Sequence, residues 1–111
     1  MRCRVSPAVA EGRGEILRRR ARRLARKGHH RKAAVALREL VALEADAATY
    51  ALLGDMLRRA RRGPEAVEAL RQSLWLHRRA GAERRARTVA RLIVAIDPFD
   101  AKARHLAGAA A

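Results

Sequence analysis

Cysteine occurs once, as Cys3, so the chain cannot close an internal disulfide or assemble a thiolate metal cluster. A lone thiol suits a reducing compartment. Aromatic residues make up 3% of the chain, one each of Tyr50, Trp75 and Phe99, and the β-branched and aromatic residues that favour strands are scarce. No stretch approaches the roughly 20 apolar residues of a membrane span. The N-terminus carries no apolar run of signal-peptide length, so the expected setting is the cytoplasm. The glycines are isolated, which leaves no phosphate-cradling loop. Four histidines, His29, His30, His77 and His105, show no metal-ligand spacing. His29 and His30 read as a solvated turn and His77 as a packed side chain. Without a poised acid, base or nucleophile, the expectation is a non-enzyme with no cofactor and no metal.

What is present points to helix. Half of the residues are hydrophobic, and alanine, leucine and valine must do the packing. Alanine and arginine are among the best helix formers. A chain of 111 residues suits one domain. The charge is one-sided, with 26 Lys+Arg against 11 Asp+Glu for a net +15. Lysine contributes only Lys27, Lys32 and Lys102, so the cations are overwhelmingly arginine. Such an excess repels itself in the compact state and favours an anionic neighbour. Biased composition, enriching alanine and arginine together, is the alternative origin.

Residues 1–13 read as a flexible basic lead, 14–108 as one helical domain and 109–111 as a tail. Helix one is expected from about Gly14 to Lys27, with Leu17, Ala21, Leu24 and Ala25 recurring at spacings of three and four. The second, about Arg31 to Glu44, turns Ala33, Ala34, Leu37, Leu40, Val41 and Leu43 inward. Asp46 is a candidate N-cap for the third, Ala47 to Arg61, which buries Tyr50, Leu53, Gly54 and Leu57. Arg62-Gly63 ends it. Pro64 and Glu65 open a fourth, where a missing N–H costs nothing and an acid suits the positive helix end. It presents Val67, Leu70, Leu74 and His77 on one line, with Trp75 or Leu76 beside it. Gly81 precedes a fifth, Ala82 to Ile96, packing Ala86, Val89, Leu92, Ile93 and Ile96. Asp97-Pro98 stops that helix, and Pro98 begins a short sixth through Leu106.

The pattern repeats. A shift of 33 residues lays Leu17, Ala21 and Leu24 over Tyr50, Gly54 and Leu57, and Ala33, Leu37 and Leu43 over Ala66, Leu70 and Leu76. A period near 34 in helical hairpins is the mark of tetratricopeptide repeats, and the chain resembles that family over about residues 14–108. The small residues Gly54 and Ala66 stand where two helices cross. Ala95-Ile96-Asp97-Pro98 resembles the family's closing turn, and Ala101 to Gly108 the start of another first helix. Counted back from Pro98, Ala86 takes a small crossing position, so helix four serves as second helix of one repeat and first of the next. The resemblance implies an all-α, right-handed stack of antiparallel hairpins, an α-solenoid of five helices plus a short sixth. A generic helical bundle is the alternative.

The arginines carry the functional expectation. Arg18, Arg22 and Arg26 fall at four-residue spacing, a single stripe on helix one. If the resemblance holds, first helices line a concave surface, to which helix three adds Asp55, Arg58 and Arg59. Arginine pairs bidentately with carboxylate or phosphate, so the groove is expected to take an acidic protein segment, as in an adaptor or scaffold. Some relatives grip a terminal carboxylate with lysines and asparagines, but this chain has no asparagine. A second basic patch comprises Arg78, Arg79, Arg84, Arg85, Arg87 and Arg91. The alternatives are sequence-independent binding of nucleic-acid phosphates and a structural subunit of a larger assembly, self-associating through its end helices. Against nucleic acid, Tyr50 and Trp75 read as core, leaving Phe99 alone to stack a base.

Overall fold

The computed structural model describes residues 7–108, and every regular element among them is helical. The helices are α1 Pro7–Arg26, α2 His30–Leu43, α3 Ala47–Arg59, α4 Gly63–Arg79, α5 Glu83–Ile96 and α6 Ala101–Leu106. Each packs on the next in the chain. The expected lead is shorter than the sequence suggests: α1 starts at Pro7, where a proline's missing N–H costs nothing. Residues 1–6 and the tail 109–111 lie outside the described residues. The sixth helix starts at Ala101 rather than Pro98, because Asp100 caps it by accepting from the Ala103 N–H at 2.9 Å. Asp46 caps α3 as expected, accepting from the Thr49 N–H at 2.8 Å.

The turns fall into two kinds. After α1, α3 and α4 the chain enters the left-handed region at Gly28, Arg61 and Gly81. In each, that residue's N–H reaches back three positions and the next N–H five, as in Gly28 to Ala25 and His29 to Leu24. After α2 and α5 there is no left-handed residue. Glu44 and Asp97 leave the helix at φ −135° and −129°. Each N–H bonds the carbonyl four back at 2.7 Å, and an aspartate then caps the next helix. By its turns, α4 both closes one hairpin with α3 and opens another with α5.

A 53-residue correspondence lies beneath this. Glu15, Leu17, Arg18, Gly28, Ala33 and Leu40 recur as Glu68, Leu70, Arg71, Gly81, Ala86 and Ile93. The α1–α2–α3 unit is thus followed by a second version, α4–α5–α6.

The core divides in the same way. Leu17, Ala21, Leu37, Leu40, Leu53 and Leu57 anchor a first cluster, and Leu70, Leu74, Ala86, Val89, Ala90 and Ile93 a second. Helix α4 belongs to both, through Ala66 and Ala69 on one side and Val67, Leu70 and Leu74 on the other. Buried Ser73 ties it further to α3, its hydroxyl donating to the Ala47 carbonyl at 2.8 Å. With each helix packed on the next, the chain is long, 60 × 31 × 18 Å. Its radius of gyration is 15.6 Å, against about 13 Å for a compact domain of this length.

The expected crossing residues meet at the α3–α4 contact. A Cβ at Gly54 would lie 2.6 Å from Leu70 Cγ and 3.3 Å from the Ala66 carbonyl oxygen. Ala33, Ala66 and Ala86 are buried as expected. Leu24 and Tyr50 are half-buried, and Pro98 is exposed in its turn. Two expectations fail: Leu43, placed inward, is exposed, and Trp75 is 54% exposed instead of core. Leu43 stands on alanine-rich α2, where small neighbours widen the apolar stripe, and Trp75 follows buried Leu74 by one residue, about 100° around α4.

Arg61 is the one non-glycine in the left-handed region among the described residues, at φ 63°. Its Cβ opposes that conformation. Arg61→Gly should therefore raise stability by about 0.5–1 kcal/mol, read as a higher urea midpoint at unchanged m. Gly28→Ala and Gly81→Ala should lower the midpoint.

Candidate functional site

The two three-helix units each enclose a groove. In the first, α1 and α3 flank a narrow cleft of about 60 Å³, walled by Arg18, Ala21, Arg22 and Ala25. Leu37 of α2 forms its floor, and Leu52 and Met56 of α3 the far wall. In the second, α4 and α6 flank a cavity of about 480 Å³ that Glu83 and Ile93 of α5 complete. Its walls include Arg71, Leu74, Trp75, Arg78, Arg79, Asp100, Lys102 and Ala103.

One arginine in each unit is committed to the fold. Arg18 bonds Glu15 at 3.2 Å and also Glu44, at the end of α2. Its counterpart Arg71 bonds Asp100 at 2.8 Å and lies 3.9 Å from Glu68. The hydrogen bond to Asp100 holds the Arg71 guanidinium above its ordinary value, opposed by a smaller effect of burial. The same bond, joined by the Ala103 N–H, holds the Asp100 carboxyl below the usual carboxylate range. These pairs fasten the first helix of each unit to a later turn: α1 to the end of α2, and α4 to the start of α6.

The expected groove residues therefore separate. Arg18 and Arg22 wall the first cleft, but Arg18 is already engaged by two carboxylates. Arg26 is exposed further along the same stripe. Asp55 holds Arg58 at 2.7 Å and Arg59 at 3.1 Å, so these three side chains tie one another along α3. What α3 brings to the cleft is apolar: Leu52, 48% exposed, and Met56. Their spacing of four was visible in the sequence, one helical face beside the inner line of Leu53 and Leu57.

The second basic patch separates too. Arg78 and Arg79 wall the larger cavity, whereas Arg84, Arg85, Arg87 and Arg91 are exposed along α5. Arg79 lies over the Trp75 ring, 4.8 Å from its centroid, a cation–π contact on a largely open indole. Of this wall the charge pattern singled out Arg78 and Arg79; Arg71, Trp75, Glu83, Asp100 and Lys102 were not among the expected site residues. His77, half-buried near by, is held below its ordinary value by burial and then by the Arg85 charge. Among the described residues no group of histidine, cysteine and carboxylate side chains is arranged to hold a metal ion. No helix of the described residues is long and apolar enough to cross a membrane. No family model, curated protein or solved structure matches the chain.

Proposed function

We propose that the protein is a non-enzymatic adaptor of tetratricopeptide type, whose α1–α3 cleft captures an acidic protein segment. The observation that carries this reading is the asymmetry of the cleft, cationic on the α1 wall and apolar on the α3 wall. Arg22 makes no ion pair among the described residues. A segment with carboxylates on one edge and leucine-sized side chains on the other matches both walls. Support for the repeat architecture comes from the small residues at the α3–α4 crossing and from the turn order, which runs left-handed then aspartate-capped in both three-helix units.

Charge reversal at Arg22 and Arg26 tests it, with Arg18 left alone because it anchors α1 to Glu44. A fluorescein-labelled peptide of alternating glutamate and leucine should bind the native chain at low salt. Its affinity should fall at least about tenfold for the Arg22→Glu, Arg26→Glu variant, a loss of about 1.4 kcal/mol or more. Circular dichroism should stay unchanged. Equal binding by both proteins removes the cleft as the site.

A further inference from the structure

The larger cavity combines features that an acidic polypeptide does not need. Its wall holds the chain's single tryptophan, more than half exposed, with a guanidinium laid over the ring. Around it stand Arg78, Arg79 and Lys102, none of which makes an ion pair among the described residues. Of the acids in the wall, Asp100 is taken up by Arg71, leaving Glu83. Phe99, adjoining Asp100, is 88% exposed. Along α5, Arg87 and Arg91 follow Glu83 at four-residue spacing, so cations continue from the cavity mouth on the same side of that helix.

From this juxtaposition we propose that the α4–α5–α6 cavity binds single-stranded nucleic acid, one base stacking on the Trp75–Arg79 pair while Arg78, Lys102 and the α5 arginines hold flanking phosphates. A nucleotide is the anionic polymer unit that supplies both a π-face and a phosphate, and aromatic platforms within a basic groove are how single strands are held without base readout. At about 480 Å³ the cavity falls within the range of sites that enclose a small ligand. A duplex keeps its bases stacked inside and offers only phosphates. A polyglutamate engages the cations and leaves the indole unused. This site is separate from the α1–α3 cleft and does not rest on the adaptor reading.

The full-length chain, with labelled oligothymidylate followed by anisotropy and Trp75 emission followed directly, provides the test. The oligonucleotide should bind and quench the single tryptophan, whereas inorganic polyphosphate and polyglutamate at equal charge should bind more weakly and leave its emission largely unchanged. Trp75→Ala should weaken oligonucleotide affinity roughly tenfold with the salt slope intact, and Trp75→Phe should restore most of it. Arg78→Gln should instead reduce the salt slope by about 0.7, one phosphate contact. The proposal is overturned if Trp75→Ala binds as tightly as the native chain, if polyphosphate or polyglutamate matches the oligonucleotide, or if duplex of the same sequence binds equally well. Because Trp75 is largely exposed, its replacement should leave helical circular dichroism unchanged; a Trp75→Phe variant that folds but fails to bind also overturns it.

Discussion

A Gly54→Leu variant is expected to lose the folded state, with no cooperative urea transition where the native chain shows one. Gly54 lies where α3 crosses α4, and even a single Cβ there would sit 2.6 Å and 2.7 Å from Leu70 side-chain carbons. Leu70 has nowhere to swing, being 1% exposed. Behind it the Ala66 carbonyl oxygen, 3.3 Å from the same Cβ position, belongs to backbone and yields only if the helix moves. Gly54→Ala sets a gain in helix propensity of about 1 kcal/mol against overpacking of about 1–3 kcal/mol, so its loss should be modest. Leucine adds three more carbons and must part the helices, exposing apolar side chains of both core clusters. The cost should exceed about 4 kcal/mol, comparable with the whole stability of a domain at the low end of the about 5–15 kcal/mol range. A double-mutant cycle gives the mechanism: Gly54→Ala in a Leu70→Ala background should cost less than in the native chain, because the group it strikes is gone. A native-like urea midpoint for Gly54→Leu would show that the two helices do not meet there.

The Gly54 crossing was legible because its signal is local and graded by size: a glycine followed by Ala66 at hairpin spacing, with leucines on either side. Helix type was legible for the same reason, alanine and arginine offering little else. The caps show the limits. Asp46 was recognisable from its neighbours, but the start of α6 was misplaced at Pro98, because Asp100 wins the competition by bonding the Ala103 N–H. Gly63 looked like the stop of α3, yet the chain turns at Arg61 and Gly63 opens α4. A left-handed arginine has no composition signal.

The groove residues were harder. From Arg18 to Arg26 six of nine residues are arginine, and little nearby distinguishes Arg18, bound to Glu44 twenty-six positions away, from Arg19 beside it. The distinction does appear in the 53-residue correspondence, where Glu15–Arg18 and Glu68–Arg71 recur as ion pairs three residues apart. The 33-residue shift masked it, because both shifts pass through α4, which plays two parts. Trp75 stands one residue from buried Leu74, a turn of about 100° that decides core against surface and that an apolar run does not encode.

The double role of α4 leads to a further large effect. Leu40 and Ile93 are counterparts across the 53-residue shift, each fully buried, one in each cluster. Truncating either to alanine should cost about 2–5 kcal/mol, the transfer and cavity penalty of a large aliphatic side chain. Two separable clusters would melt in two steps, with Ile93→Ala lowering only the step that belongs to α5 and α6. Yet Val67 and Leu70 of the second cluster alternate along α4 with Ala66 and Ala69 of the first. Helix α4 cannot loosen on one side while its backbone stays fixed on the other. Ile96 packs against both clusters and couples them again. Both variants should therefore unfold in a single transition, shifted to lower urea by comparable amounts at the same m. Circular dichroism and Trp75 emission should give coincident curves, the indole reporting on the second unit and the ellipticity on all six helices. An Ile93→Ala curve in which the tryptophan signal changes well before the ellipticity would mean that the units are independent neighbours on one chain and that α4 is merely the place where they touch.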